Sequence, residues 1–217
     1  MVGKRPFANL YQVYLMRHGQ STGNAEGLHQ GQKDFALTPT GKSQARALAK
    51  RWKKEGVTFD LIVSSPLLRA RETAEIIAEA LSCPLEFDPD WMERDNGVLS
   101  GLRPEDAYEI YPRPDFIHPY QPIGETGESQ WELFVRASRA VLNLVRRQPG
   151  RYLVVSHGGL LNMAFYAILG ITPQANFTGP RFRFGNTGFA TLTYQPEQHR
   201  WTVFGVNDVS HWKQQEG

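Results

Sequence analysis

The sequence predicts an α/β fold: a three-layer sandwich with a mainly parallel central sheet and helices on both faces. Two observations carry this. Short apolar runs of β type alternate, through most of the chain, with segments whose apolar residues recur at helical spacing, the order that builds a parallel sheet with crossover helices. The length of 217 residues, 41% hydrophobic and 21% charged, suits a single domain over 1–217 with a substantial buried core. No internal repeat, low-complexity tract or linker interrupts it.

Gln12 to Met16 is the first β-type run, and Arg17-His18-Gly19 follows where a strand must hand over to a loop. Thr38-Pro39 is a helix start, with Thr as N-cap and Pro at the first helical position. Ala45, Leu48, Ala49 and Trp52 then form the apolar stripe of that helix. Leu61 to Ser64 is a second strand, and Pro66 opens a helix carrying Ala70, Ala74, Ile77 and Leu81 at helical spacing, which puts Arg69 in its first turn. Leu85 to Phe87 is a third, weaker strand, followed by Trp91-Met92-Glu93. From Leu99 to Thr126 five prolines leave room only for a short helix near Glu105 to Tyr111, so this part reads as a lid-like segment at about 99–127. Ser129 and Glu132 make a capping box for a helix. Tyr152 to Ser156 is a buried strand running into His157-Gly158-Gly159, and Phe189 to Tyr194 with Trp201 to Val206 resemble a closing hairpin.

Bulk properties exclude several classes. With 24 Lys and Arg against 22 Asp and Glu the net charge is +2, so nothing in the total calls for nucleic acid or a membrane surface. The longest apolar stretch, Leu160 to Ile171, falls short of the roughly 20 residues that span a bilayer. Met1 to Leu10 lacks the apolar core of a secretory signal. Cys83 is the single cysteine, which forbids an internal disulfide and points to the cytoplasm. Phe and Trp residues on the closing strands could serve a homodimer.

Three strand ends deliver polar groups: Arg17 and His18 after the first, Ser64, Ser65 and Arg69 after the second, and His157 after the strand at Tyr152 to Ser156. In parallel sheets such ends gather at one crevice. Two histidines each following a β-run and each followed by Gly, with two arginines beside comparable ends, suit one shared site for an anionic substrate. No Asp-rich or His-rich spacing suggests a metal, and no cofactor is expected.

On these residues the chain resembles a known family. Leu15-Met16-Arg17-His18-Gly19-Gln20-Ser21 is similar to the Arg-His-Gly signature of the histidine phosphatase superfamily, in its phosphoglycerate mutase-like branch. Asn24, Gln30-Gly31, Leu37-Thr38-Pro39-Thr40-Gly41, Ser64-Ser65-Pro66-Leu67-Leu68-Arg69-Ala70, Thr73-Ala74, Glu93, Gly97, Gly101, Gly127-Glu128-Ser129 and Val155-Ser156-His157-Gly158-Gly159 follow the same pattern in order. The resemblance covers roughly residues 11 to 194 and implies a phosphoglycerate mutase-like fold. It implies His18 as the nucleophile that carries a phosphoryl group, Glu93 as proton donor, and Arg17, Arg69 and His157 as the other catalytic groups, with no metal. Asn24, Gln30, Gly31, Ser21 and Gly158 are expected to bind substrate, a small phosphorylated metabolite. The chemistry agrees: a neutral imidazole attacks phosphorus without a separate base, arginine forks match phosphoryl oxygens, and amides of Gly158 and Gly159 at a helix start add positive potential.

Two other readings compete. Gly19-Gln20-Ser21-Thr22-Gly23 fits the G-x-S-x-G elbow of serine acyl hydrolases. Against it, Arg17 and His18 stand between strand and elbow, and paired arginines have no task in a neutral ester site. A non-catalytic phosphate-binding module would not need all five catalytic positions filled with the expected residue types. Within the family, mutases typically carry a longer, more basic segment between the acid and the second histidine. Here Gly97 to Gln148 is compact, so a phosphatase is expected before a bisphosphoglycerate-dependent mutase. In that segment Tyr108, Tyr111, Phe116, Tyr120 and Trp131 are candidate aromatic walls, and Arg103 and Arg113 candidate partners for a second anion.

Overall fold

The computed structural model describes residues 9–215, with side chains described to residue 212; the N-terminal reading over the first eight residues lies outside them. Strands β1 (Tyr11–Arg17), β2 (Leu61–Ser64), β3 (Leu85–Phe87), β4 (Arg151–Ser156), β5 (Phe189–Gln195) and β6 (Arg200–Asp208) form one sheet in the order β3-β2-β4-β1-β5-β6. The first four strands in that order run parallel, β5 pairs antiparallel with β1, and β6 pairs antiparallel with β5. The sheet is therefore mixed: a parallel body closed by the hairpin that the sequence predicts.

Helices α1 (Thr22–Ala25), α2 (Pro39–Lys54), α3 (Leu68–Leu81), α4 (Pro104–Ile110), α5 (Gln130–Val145) and α6 (Gly158–Leu169) connect the strands. Period-two alternation distributes the strand side chains between two cores. Val13 and Leu15 of β1 and Tyr152 and Val154 of β4 join Leu133, Ala137, Leu160 and Phe165 from α5 and α6. Met16, Leu153 and Val155 face the other way, onto Leu48, Trp52, Ala74 and Ile77 from α2 and α3. Both faces are thus covered, and each fully buried Leu, Ile or Val contributes roughly 1.5–3 kcal/mol.

Local chemistry sets the helix starts. Thr38 Oγ1 accepts from the Gly41 amide at 3.0 Å ahead of Pro39, and Ser129 with Glu132 closes the expected capping box. Ser21 and Asn24 form a second capping box, on α1. The helix expected from Pro66 begins at Leu68 instead, with Pro66 in the preceding turn, and Arg69 is still in the first turn. Gly19 permits a close approach: a Cβ there would sit 2.7 Å from the Gly41 carbonyl oxygen, so the loop after β1 lies directly on the start of α2. Among the described residues no helix is long and apolar enough to cross a membrane.

Candidate active site

The sheet order brings the site together. β4 lies between β1 and β2, and its register sets Arg17 opposite Ser156 and Ser64 opposite Val155. The next residue on each strand is His18, His157 or Ser65, so the three meet at the carboxyl ends. The ladder continues into them: the His18 amide donates to the Ser156 carbonyl and the Ser65 amide to Val155, both at 3.0 Å. The His18 and His157 rings lie 5.1 Å apart between centroids.

His18 is 2% exposed, and its Nδ1 is 2.6 Å from the Gly19 carbonyl oxygen. A carbonyl only accepts, so Nδ1 carries the proton and Nε2 of the neutral ring has its lone pair free. Burial, reinforced by the Arg17 and Arg69 cations, holds the His18 pKa well below its usual 6.5, which keeps the ring neutral near pH 7. The His18 carbonyl accepts from the Thr187 amide and from Asn186 Nδ2, each at 3.2 Å.

His157 is fully buried, with its Nε2 2.7 Å from Ser65 Oγ. Ser65 Oγ also accepts from the Leu67 amide. In the tautomer whose Nε2 accepts from the Ser65 hydroxyl, the ring proton is on Nδ1, which has no partner among the described residues. Burial, and next Arg69, lower the His157 pKa well below 6.5 as well.

The arginines are held by carbonyls rather than carboxylates. Arg69, 1% exposed, donates to the carbonyls of Gly31 at 2.8 Å and Lys33 at 2.9 Å; Arg17 donates to Phe184 at 2.9 Å. Each keeps a buried Nε without a partner. Burial lowers the Arg69 pKa to about 10, against the raising influence of Glu93 and Asp34, so its guanidinium stays charged near neutrality; burial lowers the Arg17 pKa as well, opposed by Glu93. Unpartnered buried donors cost about 1–3 kcal/mol each, and their grouping here marks a place for an anion.

Glu93 occupies the α6 N-terminus. Its Oε2 accepts from the Gly159 amide and its Oε1 from the Leu160 amide, both at 3.1 Å. A Cβ at position 159 would push against this carboxylate and displace it from the two amides. The Gly159 amide, expected to face phosphate, is therefore engaged by Glu93, while both Gly158 and Gly159 line the cavity. Behind Glu93, Arg136 pairs with Glu128 at 2.6 Å and donates to the carbonyls of Asp90, Met92 and Glu93, fixing the acid's backbone.

A cavity of about 650 Å³ is lined by Arg17, His18, Asn24, Gln30, Gly31, Arg69, Glu93 and Gly158 among others. His157 lies directly behind this wall, beside His18. Ser21, expected to line the pocket, is fully buried, capping α1 and donating to Gln30 Oε1 at 2.7 Å. Ser21 thus holds the loop, and among the described residues it has no histidine partner of the kind an acyl hydrolase would require. Asn24 Oδ1 is occupied by Ser21 and Asn186, so its Nδ2 is the group left for a ligand.

Sequence reasoning passed over His29, Arg94, Asn96, Arg181 and Arg183, which also line this cavity. The available signals were the position of Arg94 directly after Glu93 and the alternating Arg181-Phe182-Arg183. A second cavity of about 760 Å³ takes Tyr108, Tyr111 and Arg113 from the proline-rich segment. Phe116, Tyr120, Trp131 and Arg103 line neither cavity; Trp131 packs on Tyr120 and Phe134, and Arg103 precedes α4. Among the described residues no group of three or more His, Cys, Asp or Glu could hold a metal ion.

A neutral histidine beside two carbonyl-held arginines, at the carboxyl edge of a sheet covered by helices, defines an α/β enzyme of phosphorylated substrates. The family model for the histidine phosphatase superfamily (branch 1) matches residues 13–208, and the chain belongs to that superfamily. It is 36% identical over 209 residues to the probable phosphoglycerate mutase GpmB of Enterobacter sp. (strain 638), covering 93% of this chain and 95% of the relative. It is 37% identical over 209 residues, with the same coverage, to the protein of that name in Salmonella arizonae. Among solved structures, it is similar to phosphoserine phosphatase from Entamoeba histolytica in complex with 3-phosphoglyceric acid, at TM-score 0.75 and 26% identity over 93% of this chain and 98% of that one. A mycobacterial glucosyl-3-phosphoglycerate phosphatase gives TM-score 0.75 and 26% identity over 91% and 99%, and Bacillus stearothermophilus YhfR gives 0.78 and 27% over 93% and 98%.

Proposed function

We propose that this enzyme is a phosphatase that hydrolyses phosphomonoesters through a phosphohistidine on His18, with Glu93 as proton donor and no metal in the reaction. The observation that carries this is the 2.6 Å contact of His18 Nδ1 with the Gly19 carbonyl, which leaves Nε2 as a nucleophile in the arginine-lined cavity.

In the first step the Nε2 lone pair forms a bond to phosphorus as the ester P–O bond breaks, and Glu93 protonates the departing oxygen. Arg17, Arg69, Asn24 Nδ2 and His157 Nδ1–H hold the non-bridging oxygens and stabilise their charge. In the second step water attacks phosphorus, its proton passes to Glu93, the P–N bond breaks and inorganic phosphate leaves.

The runner-up is a mutase, favoured by the names of the 36–37% identical relatives; it would return the phosphoryl group to a bound phosphoglycerate. The test is phosphate release from p-nitrophenyl phosphate and a panel of biological phosphomonoesters with excess EDTA, comparing wild type with His18→Ala. EDTA-resistant release that vanishes in the variant supports the phosphatase. Failure with every ester, together with conversion of 3-phosphoglycerate when primed with 2,3-bisphosphoglycerate, replaces it with the mutase.

A further inference from the structure

Several groups of the site are held from behind by a turn, residues 184–188, that no step of the proposed chemistry uses. The Phe184 carbonyl accepts from Arg17 Nη1 at 2.9 Å and the Gly188 carbonyl from the Arg17 amide at 3.1 Å, while Asn186 Nδ2 donates to Asn24 Oδ1 at 3.0 Å. The His18 carbonyl accepts from the Thr187 amide and from Asn186 Nδ2. That carbonyl shares one rigid peptide plane with the Gly19 amide, which donates to Thr73 Oγ1 at 3.0 Å. The plane is thus fixed at both edges, and the next carbonyl, that of Gly19, is the one that meets His18 Nδ1.

The turn does not hold itself. Thr187 is buried at φ 52°, a left-handed conformation in which a β-branched residue persists only where its surroundings over-determine it. Those surroundings come from the segment after β6. His211 Nε2 lies 2.8 Å from Thr187 Oγ1, Trp212 Nε1 donates to the same oxygen at 3.0 Å, and Thr187 Oγ1 donates to the Asn186 carbonyl at 2.8 Å. A hydroxyl has one proton and two lone pairs, so all three contacts are satisfied together only when His211 carries a proton on Nε2. Asn207 Oδ1 accepts from the Gly185 amide at 2.7 Å. The segment is anchored in turn to α2, where Arg51 Nη1 donates to Asp208 Oδ2 at 2.9 Å and to Ser210 Oγ at 2.8 Å. Thr187, His211 and Trp212 do not line the cavity that holds His18.

We propose that Thr187, His211 and Trp212 form a positioning clamp that sets the backbone of the nucleophile from outside the cavity, so that the segment after β6 governs phosphoryl transfer without touching substrate. This rests on the reading of His18 as the nucleophile. Without the two rings the turn relaxes, the His18 carbonyl loses its donors, and Nε2 loses its fixed alignment with phosphorus. Arg69 is held independently, by Gly31 and Lys33, so the loss falls on kcat more than on KM.

The test uses the full chain with Thr187→Val, His211→Leu and Trp212→Phe, set against Thr187→Ser and His211→Gln, which keep a hydroxyl and a nitrogen donor. Turnover of p-nitrophenyl phosphate is measured beside ¹⁵N NMR of histidine-labelled protein, with His18→Ala assigning the His18 signals. Thr187→Val and His211→Leu should each lower kcat by about tenfold or more, with KM within about threefold. Their His18 signals should move from the Nδ1–H form toward exchange between tautomers. Thr187→Ser and His211→Gln should recover most of the kcat and the wild-type His18 signals. Trp212→Phe removes one donor from a half-buried ring, so it should fold even if the other two do not, with the same changes in smaller measure. Any of the three that melts as a folded protein yet keeps wild-type kcat and His18 signals overturns the clamp, as does a lower kcat with unchanged His18 signals, or a loss in Thr187→Val that Thr187→Ser shares. A wild type inactive on phosphomonoesters, whose His18 signals still change in Thr187→Val, overturns the phosphatase reading instead and leaves the clamp standing.

Discussion

Replacing Ser65 with Ala separates the orientation of His157 from its mere presence. In the wild type the hydroxyl is 2.7 Å from His157 Nε2 and accepts from the Leu67 amide at 3.3 Å. Both groups are buried, so the variant leaves a ring nitrogen without a partner, a cost of about 1–3 kcal/mol. At this chain length about 2 kcal/mol lowers Tm by roughly 4–8 °C. Catalysis should suffer separately, because the ring is free to change tautomer or rotate and the Nδ1–H donor to the phosphoryl group is no longer fixed. Outright removal of a donor to the transition-state charge costs about 100–1,000-fold, so misorienting one should cost at least about tenfold, and the loss should appear in kcat more than in KM. Stopped assays for phosphate with thermal melts measure both effects, and ¹⁵N NMR of histidine-labelled protein reports which His157 nitrogen bears the proton. A variant that melts lower yet keeps kcat within about twofold would refute the role assigned to Ser65, as would a wild-type spectrum with the proton on Nε2.

Arg69→Lys should lower kcat/KM by about 100-fold or more despite the retained charge. One ammonium lacks the planar fork needed to serve Gly31, Lys33 and a phosphoryl oxygen together, and a near-normal rate would remove Arg69 from the site. Glu93→Gln should slow alkyl phosphates at least tenfold more than p-nitrophenyl phosphate, whose leaving group needs no proton; equal losses would argue against the acid role. Acid should destabilise the fold, because burial keeps His18, His157 and His211 deprotonated in it, with the His211 pKa lowered to about 4. The sign follows from linkage: these rings take up protons below about 6.5 only on unfolding, so stability is full above that pH and falls as pH drops toward 4. His211 alone accounts for about 3 kcal/mol at pH 4, and His211→Gln should show a visibly shallower decline in chemical denaturation between pH 6.5 and 4; an unchanged slope would contradict this.

Much of the molecule was legible in the sequence because its determinants are local. Thr38 before Pro39 and Ser129 before Glu132 cap their helices through bonds spanning three residues. The alternation in β1 and β4 assigns each side chain to one of two cores by strand geometry alone. Arg17 at the end of β1 with His18 after it, Arg69 at the start of α3 and His157 after β4 were readable as strand-end chemistry for the same reason. What only the tertiary structure decided depends on partners distant in the chain. The placing of β4 between β1 and β2 sets His18 beside His157, and the Ser65 contact with His157 spans 92 residues. Glu93 meets the α6 N-terminus across 66 residues at Gly159, which takes from the phosphoryl site an amide that the local pattern had offered it. Arg94 and Arg181 come to line the cavity of His18 only through packing, whereas Ser21 and Arg103, polar and well placed in the sequence, are drawn into capping α1 and preceding α4. Helix and strand periodicity specify which face a residue occupies, but which faces meet is decided by packing the whole sheet.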